Sequence, residues 1–220
     1  MPKKRVGILI SGRGSNMQAL VKAMATTGFP AEPVVVVSNR SEAEGPAWAK
    51  ERGLPTVAID HRAYANRMAF EARLHQALLD HHVELICNAG FMRMLTGGFV
   101  ERWKDRQLNI HPSLLPSFPG LDTHRRVLEQ GVLITGCTVH FIRTEMDSGP
   151  IVAQAAVAVM PGDTEHSLAA RVLSAEHKLY PLALRLVASG QVRVENETAI
   201  FAGNLHEPMP MLVPAVNSRA

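Results

Sequence analysis

The sequence predicts an α/β fold with a mainly parallel central sheet and helices on both faces. Three observations carry this. Short apolar runs alternate with helical stretches from the start of the chain. One run, Val34-Val35-Val36-Val37, is β-branched throughout, as in a central strand buried on both faces. A glycine turn, Ser11-Gly12-Arg13-Gly14-Ser15, joins the first strand to the first helix.

In order, Arg5 to Ile10 reads as a buried strand and Asn16 to Ala25 as a helix. Pro33 to Ser38 is the second strand, and Gly45 to Arg52 a short helix closed by Gly53. Thr56 to Ile59 is a third strand. A single long helix is predicted over Arg62 to His82, with Leu74, Ala77 and Leu78 at helical spacing. Leu85 to Ala89 and Leu108 to His111 are the fourth and fifth strands. The rhythm then changes. Asp122 to Gln130 is a helix ending at Gly131, and Ile134 to Ile142 and Ile151 to Met160 are long strands around a turn at Asp147-Ser148-Gly149-Pro150. Thr164 to Val187 is a long helix that Asp163 or Thr164 can cap, with Pro181 expected to kink or break it. Gln191 to Glu195 and Ala199 to Phe201 suit a terminal hairpin. Residues 1–205 are expected to form one domain, with an N-terminal nucleotide-binding half at about 1–100 and a C-terminal half at about 101–205. The tail, 206–220, contains Pro208, Pro210 and Pro214 and is expected to be mobile.

Composition narrows the class. Of 220 residues, 46% are hydrophobic and 20% charged, which excludes disordered and collagen-like chains. The two cysteines, Cys87 and Cys137, sit in apolar runs and read as reduced core residues of a cytoplasmic protein. No stretch is long and apolar enough to span a bilayer, and Met1-Pro2-Lys3-Lys4-Arg5 leads into a strand without a cleavage site, so no signal peptide is predicted. The net charge of +3 is scattered and suits a small anionic substrate as well as it suits DNA. With only 5% aromatics there is no stacking platform for single strands. Small-molecule partners are therefore expected, with no nucleic acid and no membrane, in a monomer or homodimer.

Four segments carry chemistry. In the glycine turn, Gly14, Ser15 and Asn16 can hold one phosphate at a helix start. The alternative is a tight turn in which Ser15 or Asn16 caps the helix. A dinucleotide is disfavoured: the third glycine of that fingerprint would fall at Met17, and Ser38-Asn39-Arg40 lacks the acidic residue it needs. In Gln107-Leu108-Asn109-Ile110-His111-Pro112, alternation puts Asn109 and His111 on one face at the carboxyl end of a strand, where open α/β sheets bind ligands. Pro112 restricts His111 to extended geometry, and Leu114 to Gly120 suits a pocket wall. Asp147 is common in such turns for its own backbone bonding, but beside His111 it would hold the imidazole cationic. An imidazolium and a carboxamide N–H can stabilise an oxyanion. With no serine or cysteine placed as a nucleophile, the pattern suits direct attack by a substrate amine on an acyl carbon. Met92, Met94 and Leu95, beyond the fourth strand, suit either a heteroaromatic pocket or a methionine-rich core loop. No histidine spacing fits zinc, so no metal is expected.

Together these residues resemble a known family. Ser11 to Gln18, Ala89-Gly90-Phe91-Met92-Arg93-Met94-Leu95, Asn109-Ile110-His111-Pro112-Ser113-Leu114-Leu115-Pro116 and Asp147-Ser148-Gly149-Pro150 are similar to the folate-dependent formyltransferases. The Gly-Ser-Asn loop and Ala175-Glu176-His177 narrow this to the phosphoribosylglycinamide formyltransferase branch, in register from about residue 5 to about residue 200. The resemblance implies a Rossmann-like formyltransferase fold whose C-terminal half is the folate and catalytic half. It implies 10-formyltetrahydrofolate as co-substrate without a metal, and phosphoribosylglycinamide as formyl acceptor in purine biosynthesis. By position it implies Gly14, Ser15 and Asn16 on the phosphate and Glu176 at the glycinamide end. Arg67, Met92, Arg93, Met94 and Leu95 would contact the folate, and Arg143, Thr144, Glu145, Met146 and Asp147 would surround the pterin. Asn109, His111 and Asp147 match the catalytic trio. The chain departs from the pattern at Arg13, at Asp122 where some relatives have histidine, and at Cys87-Asn88, more polar than the usual pair. Rivals are a methionyl-tRNA formyltransferase, which would need a further C-terminal domain, a formyltetrahydrofolate hydrolase, which usually adds an N-terminal one, and a non-catalytic binding protein.

Overall fold

The computed structural model describes residues 2–203 and Val213, so the expectation for 206–220 otherwise lies outside the described residues. A seven-stranded sheet runs through both halves of the chain. Strands β1 (Lys4–Ile10), β2 (Ala31–Ser38), β3 (Thr56–Ala58), β4 (Leu85–Asn88) and β5 (Gln107–His111) are mutually parallel. β6 (Ile134–Phe141) and β7 (Ile151–Ala158) extend the sheet antiparallel, giving the order β3-β2-β1-β4-β5-β6-β7. The α/β, mainly parallel expectation holds. The terminal hairpin, β8 (Val192–Glu195) and β9 (Thr198–Phe201), forms its own two-stranded sheet.

Alternation along the strands feeds two cores. Val6, Ile8 and Ile10 of β1, Cys87 of β4, Leu108 and Ile110 of β5, and Val139 and Phe141 of β6 face α1 (Ser15–Met24) and α6 (Glu165–Ala188). On the opposite face, Leu9, Val35, Val37 and Ile86 meet α3 (Arg67–Asp80) and α4 (Gly97–Arg102). The short helices α2 (Glu44–Lys50) and α5 (Thr123–Glu129) complete the set.

Three elements differ from expectation. The long helix at 62–82 is divided: a short 3-10 turn at His61–Ala63 ends at extended Tyr64, and α3 starts afresh where the Asn66 side chain accepts from Ala69 N at 2.9 Å. α4 was not anticipated, because Gly97 and Gly98 open it; Thr96 supplies its cap. α6 passes through Pro181 unbroken. Leu179, Tyr180, Ala183 and Leu184 are buried around the proline, and that packing offsets the lost N–H. Thr164 and Ser167 cap α6 reciprocally. No described helix is long and apolar enough to cross a membrane.

Candidate active site

The face of β4, β5 and β6 that carries their polar residues opens into a cavity of about 400 Å³ at the carboxyl ends of β4 and β5. Its floor is an in-register row: Asn88 pairs with Asn109, and Asn109 with His140. Met92, Met94 and Leu95 from the loop after β4, and Ile142 and Met146 beyond β6, give it apolar sides. A cavity of this size with a few convergent polar groups fits a small organic ligand.

Asn109, His111 and Asp147 all border this cavity. His111 Nε2 donates to the Phe118 carbonyl at 2.9 Å, while Nδ1 lies 3.4 Å from Asp147 Oδ2. An acceptor therefore lies near each ring nitrogen, with hydrogen-bond geometry on the Nε2 side alone. The tight bond is to the Phe118 carbonyl rather than to Asp147. It anchors the ring and leaves Nδ1 beside the carboxylate at the cavity. Asp147 is held in turn, since Gly120 N donates to its Oδ2 at 2.8 Å. The turn bearing Asp147 lies against β6, where a Cβ on Gly149 would overlap the Phe141 carbonyl oxygen.

His140 escaped the sequence reading. It is buried, its Nδ1 donates to the Phe141 carbonyl at 3.0 Å, and burial lowers its pKa below the ordinary histidine value. Nε2 of the neutral ring is then an acceptor, 3.3 Å from Asn109 Nδ2. This contact turns the Asn109 amide nitrogen toward His140. The available signal was parity: Cys137, Val139 and Phe141 face the core, which puts His140 on the opposite face.

The glycine turn lies next door. Ser11 N donates to the Gly90 carbonyl at 3.1 Å, and Met92 N donates to Ser11 Oγ at 2.8 Å. Gly14 stands at the N-cap of α1 with φ 71 and no side-chain cap, so neither Ser15 nor Asn16 has the capping role. Asn16 instead donates from Nδ2 to Glu176 Oε2 at 2.7 Å. Burial raises the Glu176 pKa, opposed by that hydrogen bond. Asn16 Oδ1 is buried without a partner among the described residues.

A family model described as "Formyl transferase" matches residues 4–184. The chain belongs to the formyl transferase family. Phosphoribosylglycinamide formyltransferase of Escherichia coli (strain K12) is 39% identical over 91% of this chain and 95% of that protein. The trifunctional purine biosynthetic protein adenosine-3 of Bos taurus is 49% identical over 88% of this chain, which spans only 19% of that longer protein. The crystal structure of glycinamide ribonucleotide transformylase 1 from Symbiobacterium toebii superimposes with a TM-score of 0.89 at 43% identity, over 91% of this chain and 95% of that one.

Of the residues that family resemblance brought forward, Met92, Arg93, Met94, Leu95, Thr144, Glu145 and Met146 line the cavity. Arg143 borders it too, but its guanidinium is engaged by Asp105 at 2.6 Å and by Glu197 of the turn between β8 and β9. Arg67 is exposed at the start of α3 and is outside the lining. Of the expected wall, only Gly120 and the following Leu121 reach the cavity. Leu115, before a cis Pro116, instead turns toward β6, where its N–H donates to Thr138 Oγ at 3.0 Å.

Proposed function

We propose that this chain transfers the formyl group of 10-formyltetrahydrofolate to the amine of 5'-phosphoribosylglycinamide in purine (IMP) biosynthesis. The observation that carries the reading is the cluster of Asn109, His111 and Asp147 on a cavity whose described lining contains no serine or cysteine. Burial pushes the Cys87 and Cys137 thiols up to about 12, so neither supplies a thiolate. Such a site favours one direct displacement, in which the amine attacks the formyl carbon and the folate nitrogen leaves. The names borne by the matched relatives support the same choice.

Each residue then has a role. Asn109 and His111 Nδ1 present N–H groups to the negative charge that develops on the formyl oxygen. Asp147 balances the imidazolium and organises water for proton delivery to the leaving nitrogen. Met92, Arg93, Met94, Leu95 and residues 143–147 hold the donor's ring. Arg67, outside the cavity, is left to the part of the donor that extends beyond it. Gly14, Ser15 and Asn16 take the phosphate on backbone N–H groups at the start of α1. Glu176, joined to Asn16, meets the glycinamide end.

The test mixes purified protein with 10-formyltetrahydrofolate and follows deformylation with and without glycinamide ribonucleotide. The expected result is turnover that requires the ribonucleotide. Turnover without it would make the chain a hydrolase, and binding without turnover would make it a binding protein.

A further inference from the structure

The mechanism gives no role to Asn88, a polar residue of the cavity lining. Asn88, the last residue of β4, is buried at 4% exposure and forms part of the floor. Its Oδ1 accepts from Gln107 Nε2 at 3.0 Å. Gln107 is in register with Ile86, two positions nearer the amino end of β4, so the bond draws Oδ1 away from the cavity. The amide nitrogen, on the other branch, is left on the cavity side and has no acceptor among the described residues. A buried carboxamide whose nitrogen is unmatched loses hydrogen bonding that water would have supplied, unless a ligand restores it. Asn88 also stands one strand from Asn109 in the same row, at a spacing of roughly 4.8 Å. The two amides address neighbouring points of one bound molecule.

We infer that Asn88 is a specificity-determining donor: its Nδ2 hydrogen-bonds an amine nitrogen in the reduced ring of the formyl donor's bicycle, and Gln107 positions it by holding Oδ1. This rests on the formyl-donor reading of the cavity. It adds that the cavity discriminates a nitrogen heterocycle from a carbon ring of the same shape. Asn109 serves the reacting group, whereas Asn88 serves the ring that carries it.

The experiment is calorimetric binding of the full chain to two ligands. One is 10-formyltetrahydrofolate, and the other is its isostere with both nitrogens of the reduced ring replaced by carbon. The wild type is expected to prefer the first by about tenfold, the worth of one well-formed hydrogen bond. Asn88→Leu is expected to bind both within about twofold. Asn88→Asp keeps the shape without the donor and is expected to lose the preference too. Gln107→Leu is expected to reduce it while leaving the KM for the phosphorylated amine unchanged, which simple destabilisation would not do. If Asn88→Leu folds poorly with Gln107 unmatched, the double variant Asn88→Leu/Gln107→Leu removes both amides and gives the same readout. A preference that survives in the leucine variants overturns the assignment. One that survives only in Asn88→Asp overturns the donor role by showing that an oxygen faces the ligand. Failure of the wild type to bind either ligand overturns the formyl-donor reading and this inference with it.

Discussion

The cavity over β4, β5 and β6 and the glycine turn after β1 both sit at carboxyl ends of strands, yet they are built by opposite means. The ligand end of the turn is local: Gly14 and the start of α1 lie within a few residues, with Asn16 reaching Glu176 and Ser11 tied to Gly90 and Met92. The cavity is assembled from afar. Asn109 and His140 are 31 residues apart in sequence, and Asp147 is tied to Gly120 across 27. The two sites also treat charge differently. In the cavity the carboxylate of Asp147 lies between an imidazole and a backbone N–H, so a polar partner faces it on both sides. At the turn the Glu176 carboxyl is buried against a neutral amide, and ionisation is disfavoured.

The largest expected effect breaks the pairing of His111 with Asp147. His111→Ala removes the imidazole and Asp147→Asn removes the carboxylate beside it. Each is expected to lower kcat by roughly a hundredfold or more while 10-formyltetrahydrofolate still binds. Steady-state kinetics with parallel calorimetry check this. Near-wild-type turnover in both variants would remove the mechanism.

Next comes the frame that carries Asp147. Gly149→Ala puts a methyl group into the Phe141 carbonyl oxygen, which as sheet backbone cannot give way. The turn must move off β6 and take Asp147 with it. A loss of about 2 kcal/mol in stability and about tenfold in kcat is expected, by denaturant unfolding and kinetics. Gly98→Ala, with only a 4.0 Å contact to Thr96, is the control expected to show neither.

This local and long-range division explains what the sequence made legible. Parity alone put Asn109 and His111 on one face, because alternation is a property of the strand itself. The same parity was present in Thr138-Val139-His140-Phe141, but the meaning of His140 depends on β6 lying antiparallel to β5 in one register, which no local pattern specifies. The bond from His111 to the Phe118 carbonyl was hidden for the same reason. The division of the helix at 62–82 was visible in principle, in an Asn66 able to cap Ala69; the helical spacing of Leu74, Ala77 and Leu78 hid it. Asn88 was visible as an oddity, and only its partner Gln107 gave it meaning.

The glycine turn offers a smaller effect. At Gly14, with φ 71, a Cβ would sit 3.0 Å from Met17 Cε, the flexible end of a side chain, so the main penalty is the left-handed backbone itself. Gly14→Val is expected to raise the KM for the phosphorylated amine about tenfold, because a β-branched residue closes the backbone approach. The affinity for 10-formyltetrahydrofolate should not change. A parallel loss for both ligands would mean that the Ser11 contacts to Gly90 and Met92 couple the two sites more tightly than their separate construction suggests.

The smallest effect tests the contrast in charge. Burial raises the Glu176 pKa above its ordinary 4.5, so the folded protein retains a proton there that the unfolded chain releases. In that window the folded state binds more protons, and stability falls as pH rises. The contribution from Glu176 is therefore fully present below about 4.5 and is lost as pH climbs through the raised value. Glu176→Gln keeps an oxygen to accept from Asn16 Nδ2 and carries no charge. Its melting temperature should match wild type at about pH 4 and exceed it at about pH 8. An equal difference at both pH values would mean that Glu176 carries no ionisation cost, and the two sites would then handle charge alike. If Glu176 meets the glycinamide end, the same Glu176→Gln protein should also show a higher KM for the phosphorylated amine, a gain in stability bought with recognition.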